Sequence, residues 1–174
     1  MTFGGRPEDI AAFSSSGGND DQRLLAFLDQ QLDWSSIDDS DLEDRIAALG
    51  YQALDKTLEQ QWFDHHVDAN APGFNRSQSI EEMERLVVTR AIHSKRQLLE
   101  VLANFWHNHF NIFGYDYYAQ SVFISWDRDV IRPPVPGHPR PDGYENGHIL
   151  GNFRQLLELT SRHAAMQYYL DNYI

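Results

Sequence analysis

Apolar residues return every three or four positions along most of this chain, the spacing of helices that bury one face. Pro7-Glu8-Asp9 opens a short helix, with proline at a first-turn position where its missing N–H costs nothing. After a Gly17-Gly18-Asn19 loop, Asp20 or Asp21 caps a helix whose apolar face is Leu24, Leu25, Leu28 and Leu32. Ser40-Asp41-Leu42-Glu43 reads as a capping box, and Gly50 as the stop of its helix. A longer helix over residues 54–67 turns Leu58, Trp62 and Phe63 inward, and Ala71-Pro72-Gly73 breaks the chain. Ser79-Ile80-Glu81-Glu82 and Ser94-Lys95-Arg96-Gln97 are two further capping boxes, the second leading into a central helix. Residues 115–130 suit a helix or a short strand equally. Residues 133–147 hold five of the seven prolines and form a loop, after which Ile149, Phe153, Leu156 and Leu157, then Met166, Tyr169 and Leu170, return to helical spacing. The fold expected is all-α, an irregular bundle of six to eight helices in one domain over residues 1–174. Helix 95–113 is expected to be the most buried, with Leu102, Phe105, Trp106, Phe110, Phe153 and Leu157 as its core.

Composition narrows the class. A hydrophobic fraction of 41% with 13% aromatics supports a packed core. The chain has no apolar run of about 18 residues, so no membrane span is expected. The net charge of −12 is lopsided: residues 1–70 carry 15 acidic and 4 basic side chains, residues 71–174 carry 11 and 10. An acidic half repels phosphate backbones, which argues against nucleic acid as a partner. With no cysteine, disulfides, thiolate metal sites and cysteine nucleophiles are excluded.

The densest chemistry lies in Asn104-Phe105-Trp106-His107-Asn108-His109-Phe110-Asn111. Imidazoles and amides need partners or ligands when buried, and here they alternate with large aromatics. On one continuous helix, Leu98, Leu102, Phe105 or Trp106, His109 and Phe113 share a face, and Glu100, Asn104, His107 and Asn111 share another. Residues two apart point about 200° apart, so His107 and His109 cannot chelate one ion unless the helix ends near Asn108. Two readings follow. The pair is structural, with His109 in the core, or His107 and His109 bind a divalent transition metal or move protons, with Glu100, Asn104, Asn111, Asp171 and Asn172 orienting them. Tyr115, Tyr117, Tyr118 and Trp126 allow a third, minor reading as a glycan-binding surface.

Phe105-Trp106-His107-Asn108-His109-Phe110-Asn111 resembles the hallmark of a large bacterial family of unknown function, the one numbered eighteen hundred among such domains. Two later stretches, Leu150-Gly151-Asn152-Phe153-Arg154-Gln155-Leu156-Leu157 and Ala165-Met166-Gln167-Tyr168-Tyr169-Leu170-Asp171-Asn172, resemble its next motifs in the same order, and Met1-Thr2-Phe3-Gly4-Gly5-Arg6-Pro7 resembles a segment near its start. Members are longer and continue into a segment rich in asparagine, glutamate and arginine. The resemblance therefore implies the N-terminal part of a longer protein, with residues 133–147 as an insertion. It also implies export or a periplasmic setting, and gives no reaction.

The leading expectation is a helical, envelope-associated protein that acts by association with a protein partner or with its own C-terminal segment, through an exposed apolar surface near residues 150–174. The alternative is a metal-dependent or histidine-based enzyme centred on His107 and His109.

Overall fold

The computed structural model describes residues 2–135, 138 and 140–172. Among them lie nine α-helices and no strand, so the chain is an all-α, multi-helix protein. The helices are α1 (Pro7–Ser15), α2 (Asp20–Leu32), α3 (Ser40–Ala48), α4 (Leu58–Trp62), α5 (Gln78–His93), α6 (Gln97–Phe110), α7 (Phe123–Trp126), α8 (Phe153–Arg162) and α9 (Ala164–Tyr169). Two of them, α4 and α7, run directly into single π-helical turns at Phe63–Val67 and Asp127–Ile131.

Two apolar clusters hold the elements together. The larger gathers Ala103, Ile112, Val122, Trp126, Val130, Ile131, Leu156 and Met166, so it draws on α6, the 119–131 stretch, α8 and α9. The smaller joins Leu42, Ile46, Ala53, Met83, Leu86 and Ile124. Phe123 packs against both. The ambiguous stretch 115–130 is therefore helical, in short turns, and it supplies the centre of the molecule: Val122, Ile124, Trp126, Val130 and Ile131 are all fully buried. At about 25 cal/mol per Å² of apolar surface removed from water, a side chain the size of Trp126 dominates its surroundings.

This corrects the expectation that helix 95–113 forms the heart of the core. Trp106 and Phe110 are only partly buried, Leu102 is half-buried, and Phe105, Phe153 and Leu157 are 53%, 53% and 48% exposed. The periodicity of α6 was right and its phase was not. The stripe holding Glu100, Ala103 and His107 faces the protein, because charged partners from the 127–132 segment meet it there. The α2 leucines behave in the same way: Leu24, Leu25 and Leu32 are exposed, while Gln31 is buried. Gln31 accepts from Leu98 N and donates to Lys95 O, both at 3.0 Å, tying α2 to the start of α6. Trp126 is enclosed, so it offers nothing to a surface glycan.

Several helix starts also differ from the sequence reading. Asn19, not Asp20 or Asp21, caps α2 in a reciprocal pair with Gln22. Ser79 sits inside α5 and its hydroxyl accepts from Ile124 N at 2.8 Å. Ser94 closes α5, and its hydroxyl and Lys95 N both donate to the buried carboxylate of Asp39, each at 2.7 Å. Thr57 caps α4, so that helix starts later than residue 54, and Phe63 points outward. In each case a side chain from a distant element, or a neighbouring residue, outcompeted the local capping pattern.

Candidate functional site

Helix α6 carries Glu100 and His107 two turns apart on its inward face. The chain then passes through the turns at 119–126 and enters the π-helical turn at Asp127. A π turn closes bonds between residues five apart, and Arg132 N indeed donates to Asp127 O at 3.0 Å. In an α-helix those two residues would be rotated by about 140° from each other. Here both point at α6, and their side chains also meet: Arg132 Nε donates to Asp127 Oδ2 at 2.6 Å.

The result is a continuous chain of charge. Arg132 grips Glu100 with both terminal nitrogens, 2.8 Å to each carboxylate oxygen, in the two-pronged geometry that guanidinium and carboxylate share. His107 Nε2 lies 2.8 Å from Asp127 Oδ1. Asp127, Glu100 and Arg132 are buried, and His107 is partly exposed. Burial alone would raise the Asp127 carboxyl. Arg132 and the His107 hydrogen bond more than reverse this and hold it well below the usual carboxylate range. Burial likewise opposes the charge on Arg132, and Asp127 and Glu100 overcome it, holding the guanidinium above its ordinary value. Asp127 is therefore ionised, so Nε2 of His107 carries a hydrogen and donates.

Nδ1 makes no hydrogen bond among the described residues. The ring borders a cavity of about 410 Å³, whose walls include Ile80, Met83 and Val87 of α5, Asn104 of α6, and Phe123. Glu100 and Arg132 border it too, while Phe3 closes one side. An ionised carboxylate behind an imidazole whose other ring nitrogen is unbonded, the ring bordering a cavity of mixed apolar and polar walls, is an arrangement that can exchange a proton with a bound molecule.

The other residues singled out in sequence fall elsewhere. His109 is exposed and packs on Phe105, Trp106 and Phe110, away from the Phe123 and Trp126 rings that flank His107. Asn104 is exposed at the cavity edge, and its carbonyl accepts from Asn108. Asn111 ends α6 in the left-handed conformation, φ 50°. Asp171 has φ 54°, and Asn172 bonds back to Gln167. The structure thus brings together His107 and Glu100, through Arg132 and Asp127, and does not bring His109, Asp171 or Asn172 to them by any hydrogen bond. Among the described residues no group of three or more His, Cys, Asp or Glu is arranged to hold a metal ion. The sequence reading missed Asp127 and Arg132. Their signal was present all the same: Asp127 interrupts the apolar run Val122-Phe123-Ile124-Ser125-Trp126 to Val130-Ile131 and Arg132 closes it, where charges are rare unless paired.

A family model described as Protein of unknown function (DUF1800) matches residues 1–173, and the chain belongs to that family. No curated protein and no solved structure matches it. No helix of the described residues is long and apolar enough to cross a membrane.

Proposed function

We propose that this member of a family of unknown function binds a small, largely apolar molecule beside His107 and exchanges a proton with it. Asp127, fixed by Arg132 and Glu100, sets the tautomer. The observation that carries this is the 2.8 Å contact between His107 Nε2 and Asp127 Oδ1 on a ring that borders a cavity. A carboxylate held this firmly by two other buried charges costs several kcal/mol to desolvate, and its one exposed outlet is the imidazole. Of the alternatives that residue types allow, the histidine-based one fits the donor set. His107 belongs to no group of three or more His, Cys, Asp or Glu arranged for a metal among the described residues.

An activated ester tests it without knowledge of the substrate. In p-nitrophenyl acetate hydrolysis water adds to the acyl carbon, His107 takes the water's proton, and p-nitrophenolate leaves. The chain is expected to accelerate this reaction over free imidazole, and His107→Ala to lose about 10²-fold. His109→Ala should leave the rate unchanged. Equal rates for the parent and His107→Ala would overturn the reading.

A second reading rests on a separate observation, the outward aromatic face. Phe105, Phe153, Leu157 and Leu170 are exposed, and Trp106 packs on Phe153 with ring centroids 5.3 Å apart. Exposed apolar groups are common singly, but several on adjoining helices form the kind of patch that associates with another protein surface. This supports association with a partner through α6 and α8, and it is compatible with a proton-transfer site on the inward face of α6.

A further inference from the structure

Helices α3 and α5 enclose a second cavity, of about 420 Å³, a size within the range of small-molecule sites. Its walls include Ile46 of α3, Tyr51 and Leu54 from the connection that follows, and Arg90 of α5. Arg90 is unlike the arginines around it. Arg128 is spent on Asp129 and on the carbonyls of Leu54 and Lys56. Arg132 is spent on Asp127 and Glu100. Arg90 makes no hydrogen bond and no ion pair among the described residues, and its Nε is sealed from solvent. Tyr51 Oη is sealed and lacks a hydrogen bond as well. Thr89 stands near it, donating its hydroxyl hydrogen to Arg85 O at 2.9 Å and keeping its oxygen as an acceptor.

The unpartnered Nε–H of Arg90 and the Tyr51 hydroxyl therefore border one cavity. Leaving the Nε–H of a guanidinium sealed and unpaired is costly unless something completes it. Burial, and then the like charge of Arg132, work against the charge on Arg90. Glu100, Asp127 and Glu43 favour it from beyond contact distance, and none of them pairs with it. Guanidinium keeps its proton under such conditions, so the site presents a fixed positive fork.

The carboxylates of Glu43 and Asp55 border the same cavity. They repel a phosphate dianion more strongly than a single charge, while Ile46 and Leu54 offer apolar contact. We propose that Arg90 binds the carboxylate of a small organic monoanion in this cavity, with Tyr51 Oη donating a further hydrogen bond and Ile46 and Leu54 packing on the carbon chain. This site is separate from the His107 cavity and stands whether or not His107 moves protons.

The test is a nuclear magnetic resonance titration of the whole chain, following the Arg90 Nε–H and the Tyr51 ring. The ligands are sodium butyrate, butyramide, sodium chloride and inorganic phosphate. Butyrate is expected to shift both signals with a Kd of about 1 mM or tighter. Butyramide and chloride should leave them in place, and phosphate should bind more weakly than butyrate. Arg90→Gln should abolish the butyrate response at Tyr51, and Tyr51→Phe should weaken binding about fivefold. No shift with butyrate up to about 100 mM, an equal response to butyramide or chloride, or tighter binding of phosphate would each overturn the proposal. Should Arg90→Gln fail to fold, the four titrations of the parent chain still decide between these outcomes.

Discussion

Asp127 is the residue on which most of the buried charge depends, since it accepts from both His107 and Arg132. Asp127→Ala is expected to cost about 3–5 kcal/mol, because Arg132 would keep only Glu100 and His107 would lose its partner. Urea unfolding measures it, and a loss below about 1 kcal/mol would mean the network is dispensable. His107→Ala should cost less, about 1–3 kcal/mol, because the group that leaves is partly exposed while Asp127 keeps Arg132. Histidines away from the site govern acid stability. Burial pushes His163 down to about 4, with Asp129 opposing the shift and Arg128 adding to it. Burial, then Arg140, pushes His148 down to about 4. Both folded values lie below the unfolded value of about 6.5, so the folded state holds fewer protons. Their contribution is therefore complete above about pH 6.5 and is lost as pH falls through about 4. Unfolding free energy followed from pH 7 to 4 should decline over that window. It should decline less in His163→Asn, whose side chain can still accept from Ala165 N as the cap of α9.

At the scale of elements, the sequence disclosed period and concealed phase. The two stripes of α6 were legible from spacing alone, and the inference that His107 and His109 take different sides of the helix matches their separate ring neighbours. Which stripe faces inward was not legible. The partners that make the polar stripe an inner one, Asp127 and Arg132, lie 20 and 25 positions beyond His107, and they meet only because a π turn brings residues five apart to one side. A search tuned to spacings of three and four passes over such a pair. Capping patterns misled for a related reason: Ser79 and Ser94 bond to Ile124 and Asp39, contacts made by the fold. Asn111 shows how a candidate site residue resolves into an element's boundary. It holds a left-handed backbone at the end of α6, a conformation glycine adopts at no steric cost. Asn111→Gly should leave stability within about 0.5 kcal/mol and ester hydrolysis unchanged, whereas Asn111→Val should cost about 1–2 kcal/mol. A loss of hydrolysis in Asn111→Gly would instead make its amide part of the site.

For the molecule as a whole, the all-α class was legible because nearly every segment carries helical periodicity and proline and glycine mark the breaks. The two-cluster organisation was not, since the segment that joins both clusters, around Phe123, read as either helix or strand. The distribution of exposed apolar groups leads to a prediction at this scale. The triple variant Phe105→Ser, Phe153→Ser, Leu157→Ser should unfold at nearly the parent's urea midpoint, because these side chains are about half exposed. It should also lose most of the parent's enhancement of the apolar dye 8-anilinonaphthalene-1-sulfonate. A collapse in stability would mean the face is core after all.

The π turn at Asp127–Ile131 also bears on how this protein can change over time. What places Arg132 beside both Asp127 and Glu100 is a count of residues rather than the identity of those between. Point substitutions at Arg128 or Asp129 leave that count intact. Loss of a single codon in the turn would restore ordinary helical winding with Arg132 four positions from Asp127 and still on its side, but gain of one would swing everything downstream by about 100°. The charge network would come apart in one step, with every one of its side chains still encoded. Descendants of this chain should therefore tolerate insertions in the proline-rich stretch at 133–147 far more readily than one added residue between Asp127 and Arg132.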